Sequence, residues 1–332
     1  MSFRISIADV AREAGVSRQT VSRALNGKDE ISSATLQRVQ EVIDRLDYRP
    51  SSIARGLATR HTRTIGLIVP DIANPFFADI GRGADDAAHA AGYSLLLCNA
   101  VEDPDREADL LRTLEQRAVD GVVLCSSRLP ERILVDLVKR HDAVVLINRS
   151  LAGNSNVCVD DARGAALVVE HLLGSGRRRI GLLAGPQISH SSGERARGYA
   201  EAMLAAGEDP APELTVRCDS PDIDSGYRSA FALLSERPDV DAMICYNDLV
   251  ATGALRACAE LGRRVPDDVA VAGADDILLA SLVTPALTTL RVDRQAIGAT
   301  ALRMLLDQLH NASGVCNTLV FQPELIVRAS AP

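Results

Sequence analysis

Ser6-Ile-Ala-Asp-Val-Ala-Arg-Glu-Ala-Gly-Val-Ser-Arg-Gln-Thr-Val-Ser-Arg-Ala-Leu-Asn26 predicts two short helices joined by a tight turn. Ser6 is placed to cap the first helix, and Asp9, three residues later, is its capping-box partner. Apolar side chains then recur at helical spacing as far as Gly15, which can adopt the left-handed conformation that commonly ends a helix. Ser17 is placed to cap the second helix. Because these signals agree in register, the segment predicts a helix-turn-helix unit.

The second helix of this unit combines a narrow apolar side, Val21 and Leu25, with a polar face that suits DNA. That face carries Arg18, Gln19, Ser22, Arg23 and Asn26. An arginine side chain can pair with guanine, and a glutamine side chain with adenine, in the major groove. The alternative is a generic three-helix unit with a polar surface, but the register of the caps and the turn favours a DNA-binding element.

A third helix is predicted from about Ser33 to Leu46. It is expected to bury five apolar side chains against the first two helices: Leu36, Val39, Val42, Ile43 and Leu46. Pro50 ends this helical run, and the following segment, Ser51–Thr59, could form about two turns of helix. Such a length is marginal in water, and Gly56 costs about 1 kcal/mol of helix propensity relative to alanine. We therefore expect a hinge that becomes helical when two copies pair on DNA; a plain flexible linker is the alternative.

The charge of the chain divides unevenly. The whole sequence has 36 Lys and Arg residues against 44 Asp and Glu residues, a net charge of −8. Residues 1–60 contain ten basic and seven acidic side chains and are net positive by three, so the remaining residues carry −11. A basic N-terminal part can meet phosphates, while an acidic remainder discourages nonspecific adhesion to DNA.

Several classes of function lack the residues that they require. No stretch approaches the roughly 20 apolar residues of a membrane span, and Met1-Ser-Phe-Arg4 is not followed by the apolar core of a signal peptide. The seven cysteines form no CxxC pair, and the six histidines show no metal-ligand spacing. Phosphate-loop, HExxH and GxSxG motifs are absent. We therefore expect a cytoplasmic protein with reduced cysteines, without a metal or cofactor, and without enzymatic activity.

The N-terminal region resembles the DNA-binding headpiece of the lactose repressor/purine repressor (LacI/GalR) family of bacterial transcription regulators. The resemblance rests on Asp9-Val-Ala11, Gly15-Val-Ser17, Thr20-Val-Ser-Arg23, Asn26 and Tyr48-Arg-Pro-Ser-Ser-Ile-Ala-Arg-Gly-Leu57, and it continues to the C-terminus. It implies that bases are contacted by Arg18, Gln19 and Arg23, and from the first helix by Ile7. It further implies that Leu57 wedges into the minor groove, and that phosphates are held, or the helix is fixed, by Ser17, Thr20, Ser22 and Asn26.

From Thr64 onward, short apolar runs alternate with amphipathic helical stretches. Strand-like runs begin at residues 64, 94, 121, 143, 179, 242 and 269, and helices such as Phe77–Ala91 and Glu107–Arg117 separate them. Continuous apolar strands separated by helices predict parallel sheets that are covered on both faces. The strands are too many for one compact sheet, and the pattern restarts near Asp160. The sequence therefore predicts two doubly wound α/β lobes, similar to those of periplasmic sugar-binding proteins.

These patterns divide the chain into three regions. Residues 1–49 are the predicted helix-turn-helix headpiece, residues 50–61 a hinge helix or linker, and residues 62–332 an effector-binding and dimerisation domain. Within that domain, lobe 1 is expected at about 62–159 and 291–320, and lobe 2 at about 160–290 and 321–332. The segment Thr288–Asp293 would return the chain to lobe 1, whose last helix is predicted at Gln295–Leu309.

Polar side chains follow the carboxyl ends of the predicted strands, where ligands bind in such sheets. Arginine with aspartate or asparagine can hold neighbouring hydroxyls, and phenylalanine offers a flat wall for the C–H face of a sugar. The candidates resemble the pentose-binding pattern of ribose-binding proteins, although Asn148 replaces an aspartate and Val292 a glutamine of that pattern. The predicted effector site, for a sugar or a sugar derivative, consists of Asn74, Phe76, Phe77, Arg149, Arg195, Asn247 and Asp275.

Two functions remain open from the sequence. The first is a ligand-responsive repressor of carbohydrate-metabolism genes; the second is a sugar-binding protein or sugar enzyme with an incidental helical extension. The absent export signal and the missing catalytic residues favour the first. One headpiece reads only a few base pairs, so we expect a homodimer on a near-palindromic operator in double-stranded DNA. No leucine heptad follows the strand-like Thr318–Phe321, so a tetramer is not expected.

Overall fold

A computed structural model of the chain describes residues 5–25, 31–48, 61–310 and 316–332. Its contacts divide the chain into two compact units, residues 1–62 and 63–332. The predicted hinge segment, with Leu57, and the predicted DNA contact Asn26 lie outside the described residues. None of the helices that are described has both the length and the apolar character needed to cross a membrane.

The N-terminal unit contains helices α1 (Ile7–Ala14), α2 (Arg18–Leu25) and α3 (Ser33–Arg45). The predicted capping box is present: the Asp9 carboxylate accepts the Ser6 amide at 3.0 Å and the Ser6 hydroxyl at 2.7 Å. Gly15 has φ 63°, the left-handed conformation that ends α1. The Ser17 hydroxyl accepts the Thr20 amide at 3.1 Å and so caps α2. These local predictions are confirmed.

A small apolar core joins the three helices. Its buried side chains are Val10, Ala11, Ala14, Val21, Val39, Val42, Ile43 and Tyr48. The prediction that Leu36 belongs to this core is wrong, because Leu36 is 44% exposed. The buried side of α3 begins one turn later, at Val39, so Leu36 lies on the first turn before the contact starts. Leu25 and Leu46 are only partly buried, at the edge of the core.

The C-terminal unit alternates strands and helices along the chain. Its strands are β1 (Thr64–Val69), β2 (Ser94–Asn99), β3 (Gly121–Cys125), β4 (Val144–Ile147), β5 (Ser155–Val159), β6 (Ile180–Ala184), β7 (Thr215–Arg217), β8 (Ala242–Cys245), β9 (Ala270–Ala272), β10 (Thr289–Arg291), β11 (Thr318–Phe321) and β12 (Glu324–Ile326). Its helices are α4 (Pro75–Ala90), α5 (Pro104–Gln116), α6 (Glu131–Val138), α7 (Asp161–Gly174), α8 (His190–Ala205), α9 (Ile223–Glu236), α10 (Asp248–Glu260), α11 (Leu278–Leu282) and α12 (Arg294–His310), with a 3-10 turn at Pro212–Leu214.

Two parallel sheets organise this unit into two lobes. In lobe 1 the strand order is β11-β5-β4-β3-β1-β2, and every pairing is parallel. In lobe 2 the order is β7-β6-β8-β9, again parallel throughout. Helices α4 and α12 cover one face of the first sheet and α5 and α6 the other; α9 and α10 oppose α7 and α8 on the second. The predicted pair of doubly wound lobes is confirmed.

Strand β3 shows why these strands are apolar along their whole length. Val123 and Cys125 pack towards α4 and α12, whereas Val122 and Leu124 pack towards α5 and α6. Successive side chains of a strand point to opposite faces, so a sheet covered on both sides requires an apolar residue at every position. The continuous apolar runs of the sequence follow from this double burial.

The chain passes between the lobes three times. It leaves lobe 1 between β5 and α7, returns between β9 and α12, and leaves again between β11 and β12. The last two passages are joined as a ribbon, because β10 pairs antiparallel with β12. Strand β10 lies within the segment 288–293, at which the sequence places the return to lobe 1.

Helices α4 and α12 touch through glycine. A Cβ atom at Gly298 would collide with the Ile80 carbonyl oxygen, and one at Gly83 would collide with the Gln295 carbonyl oxygen. Because backbone faces backbone at both positions, an added methyl group can be accommodated only by moving the helices apart. Gly193, an exposed glycine of α8, differs, since nothing lies within 4 Å of its Cβ position.

We expect Gly298→Ala to destabilise the C-terminal unit by about 2 kcal/mol, because overpacking a rigid contact costs roughly 1–3 kcal/mol. Gly193→Ala is the matched control and should be neutral, or stabilising by up to about 1 kcal/mol through its helix propensity. Urea unfolding followed by circular dichroism measures the free energy of unfolding of both variants. Equal stabilities would contradict the close contact of α4 and α12.

Candidate functional site

The polar face of α2 lies on the surface of the N-terminal unit. Arg18 and Gln19 are exposed, and Ser22 and Arg23 are half-buried. Gln19 and Arg23 lie opposite Val21, which is fully buried in the core, whereas Arg18 is exposed on the first turn of the helix. The helix is thus anchored on one side and presents on the other the side-chain types that pair with base edges.

Ser17, Thr20 and Ile7 border this face. The Ser17 and Thr20 hydroxyl oxygens are 2.9 Å apart, and the Thr20 amide also donates to Ser17. These bonds fix the start of α2. The resemblance implies that Ser17 and Thr20 either fix this helix or hold phosphates, and the bonds agree with the first of these roles. Ile7 is the first residue of α1 and keeps part of its side chain accessible. Contacts of these residues with bases and phosphates stay predictions.

In the C-terminal unit, residues that follow strands of both sheets line one cleft. Asn74 follows β1, Asn148 follows β4, Asn247 follows β8 and Asp275 follows β9. The cleft is narrow, with a cavity volume of about 20 Å³, which is room for about one water molecule. Small-molecule sites typically have volumes of roughly 300–1,000 Å³. A ligand of that size would therefore require the cleft to open.

The structure brings six of the seven predicted effector residues to this cleft: Asn74, Phe76, Phe77, Arg195, Asn247 and Asp275. The seventh, Arg149, is half-buried and does not line the cleft. Burial raises the pKa of the nearby Glu107 carboxyl, and Arg149 is one of the groups that partly offset this rise. The part of these seven residues in effector binding stays a prediction.

Helix capping fixes the two amide side chains of the cleft. The Asn74 side-chain oxygen caps α4 by accepting the Phe76 amide at 3.0 Å. The Asn247 side-chain oxygen caps α10 by accepting the Val250 amide at 2.9 Å. Phe76 meets Phe77 edge to face, with ring centroids 5.3 Å apart, and both rings also pack in the core of lobe 1. Each side chain therefore has a structural role that holds it at the cleft wall.

Arg195 on α8 is the most heavily paired group of the cleft. Its guanidinium lies 2.8 Å from the Asp161 carboxylate and 3.6 Å from that of Asp275, and it stacks 5.2 Å from the Tyr246 ring centroid. Burial raises the pKa of Asp275 to about 7, which Arg195 opposes and the Asp161 charge reinforces. Two carboxylates thus share one guanidinium.

The loop after β9 is held in place by three arginine side chains. Asp275 and Asp276 have φ angles of 109° and 48°, which residues other than glycine rarely adopt. Arg294, at the start of α12, donates to both of their carbonyl oxygens and pairs with a carboxylate of α4 at 2.9 Å. The Asp276 carboxylate pairs with Arg291 and Arg328, each at 2.6 Å. These partners stabilise an unfavourable backbone conformation and hold Asp275 beside Arg195.

Sequence reasoning missed several side chains that line the cleft: Glu102, Ser126, Arg128, Ser191, Pro221 and Tyr246. The rule that ligands bind beyond the strand ends could have found two of them, because Ser126 and Arg128 directly follow β3. Arg128 is 3% exposed, and its guanidinium forms two hydrogen bonds with the Glu102 carboxylate, at 2.6 and 3.0 Å. The cleft therefore contains a second buried arginine, on the side of lobe 1.

Comparison with known proteins relates each unit to a family model. The model of bacterial regulatory proteins of the lacI family matches residues 6–51. The model of periplasmic binding proteins and the sugar-binding domain of the LacI family matches residues 62–322. Among relatives, the HTH-type transcriptional regulator RegA of Clostridium saccharobutylicum is 36% identical, over 98% of each chain. The ribose operon repressor of Halalkalibacterium halodurans is also 36% identical, over 92% of this chain and 90% of its own.

Solved structures agree with these sequence matches. A Lac repressor dimer bound to operator and the anti-inducer ONPF is 27% identical, with a TM-score of 0.89 over 98% of this chain and 99% of that one. A complex of the transcriptional regulator CelR with cellobiose is 33% identical, with a TM-score of 0.76 over 98% of this chain and all of that one. The chain therefore belongs to the LacI family and is a DNA-binding transcriptional regulator rather than an enzyme.

Proposed function

We propose that this protein represses carbohydrate-metabolism genes from a near-palindromic operator, under the control of a sugar or sugar derivative bound between its lobes. The observation that carries the proposal is the presence, in one chain, of an outward-facing Arg18, Gln19 and Arg23 and of a cleft lined by amide, aromatic and ion-paired side chains. A similar protein is a repressor of a ribose operon, and another binds cellobiose. Because its target is DNA, we assign it to the cytoplasm.

The proposal gives each region a task. Residues 1–49 bind the operator, residues 50–61 form the hinge, and residues 62–332 bind the effector and dimerise, with the lobe boundaries predicted from the sequence. An effector that prefers one arrangement of the lobes then changes operator affinity. Coupling of this kind is typically about 1–3 kcal/mol, or roughly 5- to 150-fold in affinity. An operator titration with and without the effector measures it.

A second copy of the chain is the partner that the proposal requires. Leu278 and Leu282 lie four residues apart on α11 and are 74% and 67% exposed. Two neighbouring exposed leucines on one helix favour contact with another protein surface. The Lac repressor structure with operator is a dimer. We therefore assign α11 to a dimer interface.

The reading face of α2 gives a first prediction. We expect Arg23→Ala to weaken operator binding by about 1–3 kcal/mol and to relax discrimination at one symmetric base-pair position, because an arginine that pairs with a base supplies sequence information. Ser22→Ala, which removes a phosphate contact, should weaken operator and random DNA alike. Titration of both DNAs measures the two effects. An equal loss on operator and random DNA for Arg23→Ala would refute base reading by that residue.

Assembly gives a second prediction. Sedimentation velocity at micromolar concentration should show a dimer, and the double variant Leu278→Glu/Leu282→Glu should sediment as a monomer because charges cannot be buried across the interface. Leu204→Glu is the matched control, since Leu204 is also 63% exposed but lies alone on α8. A stable wild-type tetramer or monomer, or a dimer that survives the double substitution, would contradict the assignment.

The raised pKa of Asp275 gives a third prediction, on stability. Its pKa is about 7 in the folded protein against the ordinary value of 3.8, so the folded protein holds a proton that the unfolded chain releases between about pH 4 and 7. The folded state binds more protons in this window, and stability therefore falls as pH rises through it. Asp275→Asn removes this group, so the unfolding free energy of wild type relative to the variant should decline from pH 4 to 7 and level off above. Urea unfolding at steps of half a pH unit measures this difference; parallel profiles would contradict the raised pKa of Asp275.

A further inference from the structure

Arg128 is held in the wall of the effector cleft by two carboxylates from one short segment. Its Nε and one terminal nitrogen bind the Glu102 carboxylate at 2.6 and 3.0 Å, and its backbone amide donates to Glu107 at 2.8 Å. The neighbouring Ser127 hydroxyl also donates to Glu107, which is 2% exposed. Both the main chain and the side chain of Arg128 are therefore fixed.

The position of Glu102 is fixed by an unusual loop. Val101 and Glu102 have φ angles of 54° and 56°, two successive non-glycine residues in the left-handed region. Each such residue costs roughly 1 kcal/mol. The Glu102 amide donates to the Pro70 carbonyl at 2.8 Å, which ties the loop to the end of β1. A conformation of this cost, which brings a carboxylate to a buried arginine, is typical of a binding site.

The stability of lobe 1 does not by itself explain the burial of this pair. A buried ion pair contributes little more than apolar residues of the same volume, because desolvation offsets the attraction. The core beside it, around Leu111, Leu124 and Leu134, is apolar. Both residues instead line the cleft on the lobe 1 side, where the Glu102 side chain is 20% exposed and that of Arg128 is 2% exposed.

Lobe 2 presents a matching pair across the same cleft. Arg195 lies between Asp161 and Asp275, and Tyr246 lies beneath it, with its hydroxyl 2.9 Å from the Ser189 hydroxyl. Tyr246 of lobe 2 and Arg128 of lobe 1 both line the cleft. Each guanidinium of the cleft lining is balanced by carboxylates, and the lining offers no surplus positive charge to an anion.

We propose that Glu102 and Arg128 form a second effector-contact pair, facing Arg195 and Asp275, and that the two pairs select an uncharged polyhydroxy ligand over its phosphorylated or carboxylated forms. A guanidinium–carboxylate pair donates and accepts at once, as two adjacent hydroxyls do. A phosphate or carboxylate would instead be repelled by the Glu102 carboxylate. The inference rests on the proposed effector function of the cleft.

The test measures binding of a matched panel to the full chain by calorimetry. The panel pairs D-ribose, D-xylulose and D-glucose with ribose 5-phosphate, xylulose 5-phosphate and glucose 6-phosphate, and adds cellobiose and gluconate. At least one uncharged sugar should bind, at least tenfold more tightly than its charged counterpart. Arg128→Lys should weaken that binding by roughly 10- to 150-fold, the range for a lost charge-assisted hydrogen bond.

Glu102→Gln distinguishes a contact residue from a structural one. The substitution keeps the shape of the side chain and removes its negative charge. It should therefore weaken binding of the uncharged sugar and reduce the protein's preference for that sugar over its phosphate. If Glu102 had only a structural role, the substitution would weaken binding of both ligands equally. Arg112→Lys, at an exposed arginine paired with Asp109 on α5, is the control and should leave every affinity unchanged. Arg195→Ala should abolish binding.

Four outcomes would overturn the inference: preference for the charged ligands, wild-type affinity of Arg128→Lys and Glu102→Gln, an unchanged preference in Glu102→Gln, or no binding by any panel compound. Operator binding is measured by gel shift on the same preparations. This measurement distinguishes failure of the inferred ligand preference from failure of the proposed repressor function. If the wild-type protein binds its operator but none of the sugars, only the inferred ligand class is refuted. If the wild-type protein does not bind the operator, the proposed repressor function is refuted.

Discussion

The buried guanidinium of Arg195 is the interaction on which the cleft depends. It joins Asp161, just after the first passage between the lobes, to Asp275, just before the second. A buried charge that loses a partner costs several kcal/mol, so neither carboxylate can move away without the other compensating. The same interaction therefore links the proposed ligand site to two segments in which the chain passes between the lobes.

The position of Asp275 in the cleft lowers the stability of the folded protein. Asp275 lies in a left-handed backbone conformation and near a second carboxylate, and both features cost stability. The bonds of Arg294, Arg291 and Arg328 behind the loop offset part of that cost. Such an arrangement is common at binding sites, where side chains are held ready before the ligand arrives.

Much of the fold could be predicted because its signals are local. The capping box at Ser6, the left-handed Gly15 and the continuous apolar strands each depend on a few adjacent residues. Strands β5, β7 and β12 were missed, since Thr215-Val-Arg and Glu324-Leu-Ile are short and mixed in polarity, and their pairing depends on distant partners. Leu36 was misplaced because helical spacing does not reveal where a packing contact begins.

The cleft was predictable to the extent that topology determines it. Residues directly beyond strand ends converge in any parallel sheet, and this rule found Asn74, Asn247 and Asp275. Glu102 follows β2 by three residues, so the rule reaches its position, but the pairing of its carboxylate with Arg128 depends on the left-handed conformation of residues 101 and 102. Arg149 shows the converse: it directly follows β4 and its neighbour Asn148, yet its side chain does not line the cleft.

The close contact of α4 and α12 joins them into one packing unit. Backbone lies against backbone at Gly83 and Gly298, so neither helix can move closer to the other without a collision. Helix α12 begins three residues after β10, and α4 begins between Asn74 and Phe76 of the cleft. The starts of both helices thus lie near the proposed ligand site and the ribbon. Helix α4 has sixteen residues and is about 24 Å long at 1.5 Å per residue, so a rotation of the two helices at the cleft would displace the opposite end of α4 by a larger distance.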